Sequence, residues 1–181
     1  MKLYYLKTKV KSPSNAAIYP QGKIYDAIYD FSITEKVGSN ELPKNLVARC
    51  QPGVSADDLL KLDYFRAYGE IPIFSNKFLS AATKINLEMD FVKTTLIAEN
   101  AEAEFNIGRI LNRMEIVDHD KSKTGSNIFV GIYLRRDIES NFYIAKEKNP
   151  LREHIFVVSD RFKSWASKNK LNIGYREVTY S

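Results

Sequence analysis

One cysteine, two histidines, eight glycines, six prolines and a single tryptophan in 181 residues leave few of the ingredients from which sequence motifs are built. Cys50 alone cannot close an intrachain disulfide, which excludes the disulfide-stapled secreted scaffolds. No apolar run approaches the roughly 18 residues that a membrane-spanning helix requires. The N-terminus meets Lys7, Lys9 and Lys11 before any stretch long enough for a secretory core. A cytoplasmic protein without a membrane partner is therefore expected. The glycines are scattered, and none opens a G-x-G-x-x-G or G-x-x-x-x-G-K pattern, so no nucleotide cradle and no cofactor are expected.

What is present is the composition of an ordered domain, 44% hydrophobic and 27% charged. Its length suits one core, and a single domain over residues 1–181 is expected. The net charge of +5 is uneven. Residues 1–36 carry six Lys against three acids, and residues 150–181 six Lys/Arg against three acids, so the middle is slightly acidic. Basicity alone permits nucleic-acid binding, but no Lys/Arg cluster accompanies a recognisable nucleic-acid motif, and solubility with guarded strand edges is the simpler reading.

Residues 2–11 alternate, with Tyr4, Leu6 and Val10 on one parity and three lysines on the other, the pattern of a half-buried strand whose lysines protect a sheet edge. Turn chemistry fills 12–22, an aromatic-rich strand is expected at 24–33, and 36–53 reads as a long connection. Ser55-Ala-Asp-Asp58 has capping-box form and predicts a helix over 56–66. Ser75 caps a second helix at 76–86 with Phe78, Leu79, Ala82 and Ile85 inward. A strand at 89–98, an acidic turn at 99–104, and a strand from Phe105 follow; the apolar parity of that strand changes at Gly108, which predicts a bulge. The polar loop 118–125 separates it from strands at 127–134 and 142–145. The last unit is a strand at 154–158, a Ser159-capped helix at 160–169 with Phe162, Trp165 and Ala166 inward, and a strand at 173–178. The expected fold is α+β, with a mixed, largely antiparallel sheet and two or three short helices.

The last unit repeats an earlier one. At an offset of 84 positions Ser75/Ser159, Phe78/Phe162, Ser80/Ser164, Ala82/Ala166, Lys84/Lys168 and Leu87/Leu171 are identical. A duplication accounts for this strand-helix-strand pseudo-repeat, and so do two capped amphipathic helices obeying the same rules.

Catalytic constellations are thin. Cys50 has Arg49 beside it to favour a thiolate but no base in its vicinity, and reads as a structural thiol. Asp118-His119-Asp120 offers metal-ligand types, yet an EF-hand would want Gly and Glu where Lys123 and Phe129 stand. A solvated turn explains it better, and no metal is expected. The rival from another class is a small hydrolase or transferase built on Asp118, His119 and Arg135.

Three short segments carry a resemblance. Asp118 and Ser122 end a strand with three residues between them, Val158-Ser159-Asp160 opens a helix, and Phe74-Ser75-Asn76-Lys77-Phe78 forms a third element. Over about residues 70–181 the chain resembles immunity proteins of bacterial polymorphic toxin systems, a family long catalogued as a domain of unknown function. Residues 1–68 share only the opening Tyr4-Tyr5-Leu6. The resemblance implies a non-enzymatic bacterial protein that binds a cognate toxin domain in the cytoplasm and blocks it, with no catalytic residues to carry over. The helices' apolar faces are committed to the core, so loops and a sheet edge should form the contact surface. Asp118, His119, Asp120, Lys121, Arg135 and Arg136 are the candidate partner-binding residues. A nucleic-acid-binding or regulatory module is the alternative, and the sequence sets no oligomeric state.

Overall fold

The computed structural model describes residues 2–10, 16–122, 132–139 and 141–178. In chain order the elements are β1 (Leu3–Lys7), β2 (Ala17–Ile18), α1 (Lys23–Ser32), β3 (Val47–Cys50), α2 (Ala56–Lys61), β4 (Tyr64–Arg66), β5 (Pro72–Ser75), α3 (Asn76–Ala82), β6 (Met89–Ala98), β7 (Ala101–Ile110), β8 (Arg113–Met114), β9 (Ile144–Glu147), β10 (Phe156–Ser159), α4 (Asp160–Lys168) and β11 (Gly174–Glu177). The fold is α+β. Its strands fall into two sheets, ordered β11-β1-β10-β9-β8 and β2-β3-β6-β7-β5-β4. Pairing is antiparallel except at β3–β6 and β8–β9. The second sheet meets its own other end: Ala17 bridges Ala67, and the Ala16 N–H donates to the Arg66 carbonyl at 2.7 Å.

The pseudo-repeat is realised as the same supersecondary unit twice. β5-α3-β6 and β10-α4-β11 are strand-helix-strand crossovers, each with a foreign antiparallel strand between its two strands: β7 in one case, β1 in the other. The registers agree. Ser75 faces Phe105 and Phe91 faces Gly108; their counterparts Ser159 and Tyr175 face Leu3 and Leu6, an equal three-residue step along the inserted strand. On the other side β4 and β9 match as well, Tyr64 facing Phe74 as Ile144 faces Val158. Both cap serines accept from the third backbone N–H of their helix, Phe78 and Phe162. Each is also tied to the neighbouring strand, Ser75 Oγ to Asp63 and Ser159 Oγ to the Phe142 carbonyl. The two helices meet in a shared core, where Phe78 lies 5.5 Å from Trp165 and 6.2 Å from Phe162 between ring centroids. A second core lies under α1 and α2 around Phe31, Phe65 and Ile107, and a third packs Leu3, Ala145 and Val157 against Val117 and Leu134.

Several expectations are corrected. Residues 23–32 form a helix, not a strand. A period of two would set Asp26 and Asp30 on the face of Ile28, whereas the helical period turns them away and buries Ile28, Phe31 and Ser32 together. The connection 36–53 contains β3, paired parallel to β6 through Val47↔Thr95. The helix expected over 56–66 stops at Lys61, because Leu62 is extended and leads into β4; its capping box is present, with Ser55 and Asp58 serving each other's backbone N–H. The acidic turn shrinks to Glu99 and Asn100, with Glu99 in the left-handed region (φ 52°), and Glu102 and Glu104 belong to β7. β1 is an interior strand between β11 and β10, so its lysines do not guard an edge.

No bulge occurs at Gly108. Pairing with β6 runs unbroken from Ala101 to Ile110, and the apparent phase change arises because residues 105–108 are buried on both faces of the sheet. Glycine is required there for space: a Cβ would stand 2.8 Å from both Met89 Cε and Phe74 Cε2. Of the strand expected at 127–134, residues 127–131 lie outside the described residues. So do 123–125 of the polar loop and 12–15 of the first turn. The strand expected at 142–145 is displaced to β9. No helix among the described residues is long and apolar enough to cross a membrane.

Candidate functional site

Two chain segments distant in sequence are stitched together at the third core. Val117 bridges Leu134, the Asp118 N–H donates to the Tyr133 carbonyl at 2.9 Å, and the Arg135 N–H to the Ile116 carbonyl at 3.0 Å. Ser122 closes the loop. Its hydroxyl accepts the Tyr133 N–H at 2.9 Å and donates to the Tyr133 carbonyl at 3.2 Å, while its own N–H returns to the Asp118 carbonyl at 2.9 Å. The Asp118–Ser122 spacing is therefore a loop-closing device.

Beneath the loop lies Glu147, fully buried at the end of β9. Its carboxylate accepts the N–H groups of Ile116 (2.8 Å), Val117 (2.7 Å) and Asn149 (2.8 Å). Three such donors solvate a buried charge with fixed dipoles in place of water. His119 Nε2 sits 3.6 Å from the same carboxylate, so the imidazole is oriented inward while 42% of the side chain remains exposed.

The result is one open cleft of about 480 Å³ lined by Val117, Asp118, His119, Asp120, Lys121, Arg135, Arg136 and Asp137. All six sequence candidates meet there. Their charges are largely satisfied internally. Arg135 holds Asp137 with two parallel bonds of 2.9 and 2.7 Å and reaches Glu115 on its other side; Glu115 also receives Lys148. The Asp137 bonds raise the Arg135 pKa, and the same bonds hold the Asp137 carboxyl below its usual range. Lys148 does the same for Glu115. The backbone N–H of Lys121 lowers Asp118. Arg136 is exposed and has no ion-pair partner among the described residues.

The hydrolase arrangement of Asp118, His119 and Arg135 is not assembled as a relay, since Arg135 is committed to Asp137 and Glu115 and the His119 ring faces Glu147. Cys50 is the reverse of an activated thiol. Burial pushes it up to about 11, Asp58 adds to the shift, and Arg49, next to it on a strand, does not offset either. Among the described residues no three His, Cys, Asp or Glu side chains are grouped as a metal site.

Sequence reasoning passed over Glu147 and its neighbour Lys146. Lys146 is 2% exposed, donates to the Ile33 carbonyl at 2.8 Å and pairs with Glu35, which joins Arg113 and through it Glu153. Burial lowers the Lys146 pKa, and Glu35 opposes that shift. This network ties the end of α1 to the first sheet. Its only trace in the sequence is a Lys-Glu pair closing the strand Ile144-Ala145-Lys146-Glu147. A second cleft of about 480 Å³ lies where β4 meets the first sheet, with Arg66, Glu70, His154 and Arg176 on its walls. No motif announces it, because its lining comes from five separate stretches of chain.

No family model matches the chain, and no curated protein matches it.

Proposed function

We propose that the protein is an immunity protein, which binds a cognate toxin domain in the cytoplasm and neutralises it without chemistry of its own. The observation that carries this reading is the pre-organised rim of the Asp118–Asp137 cleft. Lys121 with Asp118 and Arg135 with Asp137 are held in internal ion pairs in and beside a loop anchored to buried Glu147, so docking a partner there costs little further ordering. Support also comes from the resemblance of the Asp118/Ser122 and Val158-Ser159-Asp160 elements, which here close that loop and cap α4. Arg136, exposed and unpaired with any described carboxylate, is the rim cation best placed to reach a partner.

The test begins with the neighbouring gene: if it encodes a secreted protein ending in a toxin domain, that domain is co-expressed with this chain. The wild-type chain should restore growth, and Arg136→Glu should weaken the complex about tenfold or more if it contacts the partner. Equal killing with and without the wild-type chain refutes the function.

A further inference from the structure

The cleft where β4 meets the first sheet opens because two strands part. β1 pairs with β10 only at Leu3↔Ser159 and Tyr4↔Val158. Past that pair Tyr5 and Leu6 stand on one side of the cleft and Ile155 and Phe156 on the other, while β4 supplies a third wall, tied to the β1 side where the Arg66 N–H donates to Thr8 Oγ1 at 3.0 Å. The opening runs between strands, so consecutive residues of alternating facing line it, and groups from both faces of the first sheet reach one space of about 480 Å³. That volume suits a small molecule.

The acids on its walls are already matched, Glu70 by Arg66 at 2.9 Å and Glu177 by Lys2 at 3.0 Å. Arg176 has no ion-pair partner among the described residues. Its guanidinium lies 5.2 Å over the Tyr5 ring, which orients it and leaves its charge available at the exposed mouth. At the buried end stands Tyr64, 1% exposed, whose hydroxyl has no hydrogen-bond partner among the described residues. That oxygen is within electrostatic reach of both Arg66 and Glu70, which puts it on the cleft side of the tyrosine. A buried phenol normally finds a partner, and a ligand that supplies the missing one recovers the cost of its absence. Leu6, Ile155 and Phe156 make the remaining wall apolar.

We propose that this cleft binds a small organic carboxylate, with its anionic group against Arg176 at the mouth, an apolar body along Leu6, Ile155 and Phe156, and a second oxygen at its far end bonded to the Tyr64 hydroxyl. The site is separate from the Asp118–Asp137 cleft and does not rest on the immunity reading. A bare inorganic anion has no body to set against the apolar wall, and a cation of the same shape would be repelled by Arg176.

The full chain, ¹⁵N-labelled, is titrated at about 0.15 M salt with 4-hydroxyphenylacetate, which carries a carboxylate, a ring and a distal oxygen. Amide shifts should concentrate at residues 5–6, 64–70, 154–156 and 176–177, with a Kd of about 1 mM or tighter. Phenylacetate, which lacks the distal oxygen, should bind about five- to tenfold more weakly. Tyr64→Phe should bring 4-hydroxyphenylacetate down to the phenylacetate affinity and change phenylacetate binding by less than about twofold, a pattern that a merely structural tyrosine would not produce. Arg176→Gln should weaken both acids about tenfold, and Lys84→Gln, an equal charge change elsewhere, by less than about twofold. Tyramine, the same body with an amine, and inorganic phosphate should leave these amides unmoved up to about 10 mM. Absence of shifts with 4-hydroxyphenylacetate at that concentration, shifts centred on another surface, tyramine or phosphate binding as well as the acid, or wild-type affinity in Tyr64→Phe or Arg176→Gln overturns the proposal.

Discussion

Two buried tyrosines should respond to the same substitution with opposite sign. Tyr19 and Tyr64 are each 1% exposed, and burial raises both phenol pKa values far above the ordinary range, so both stay neutral in the folded protein. The Tyr19 hydroxyl donates to Thr94 Oγ1 at 3.0 Å, and Thr94 in turn donates to the Leu46 carbonyl at 3.1 Å. The Tyr64 hydroxyl has no hydrogen-bond partner among the described residues. A buried hydroxyl without a partner costs about 1–3 kcal/mol, and a made hydrogen bond contributes about 1 kcal/mol net. Tyr64→Phe keeps the ring, which packs against Phe74 at 5.3 Å, and removes the unpaired oxygen. It should stabilise the protein by about 1 kcal/mol after the small void is counted. Tyr19→Phe should cost about 1 kcal/mol. For a chain of this size each corresponds to a Tm change of roughly 2–4 °C, upward for Tyr64 and downward for Tyr19. Urea unfolding followed by circular dichroism measures both. Destabilisation by Tyr64→Phe of about 1 kcal/mol or more would show that its hydroxyl has a partner and would refute the reasoning.

Three further outcomes are expected. Glu147→Gln sets an amide N–H₂ against backbone donors that now meet a carboxylate, so it should cost about 2–4 kcal/mol in urea unfolding and loosen the 116–122 loop to proteolysis; a neutral effect would mean the three N–H bonds are not what holds the loop. Gly108→Ala should lose about 1–3 kcal/mol from its clash with Met89 and Phe74, and Met89→Ala in the same chain should recover part of that loss; an unaffected single variant would contradict the close approach. Burial pushes Cys50 up to about 11 and Tyr175 up to about 12. The native state then holds protons that the unfolded chain releases, so their contribution to stability is intact below about pH 9 and falls as pH rises through 9–12; Cys50 alkylation at pH 8 should run about 100-fold slower than for a free thiol, and a normal rate would refute the burial argument.

Local rules in the sequence determined the elements that need only neighbours along the chain. Ser55, Ser75 and Ser159 each announce a helix because a hydroxyl at the N-cap satisfies a backbone donor within three residues, and all three do so here. The long strand β6 and the inward residues Phe78, Ala82, Phe162, Trp165 and Ala166 were legible for the same reason, whereas the helix expected to 86 ends at Ala82 in a 3-10 turn and Ala81, not Leu79, is buried beside Phe78. So were the six cleft residues as polar turn material, although their convergence was not, since it depends on the bridge between Val117 and Leu134. Tertiary structure decided the rest. Residues 23–32 are rich in types that suit a strand, and packing of Ile28 and Phe31 into the second core selects the helix. The parity change at Gly108 reflects core on both sides of β7, a fact no single strand carries. Whether β1 is edge or interior depends on residues 156–177, which supply the strand on either side of it. The pseudo-repeat belongs to both levels: six identities pointed to it, and the matched registers of two inserted strands, set by long-range pairing, gave it a structural meaning.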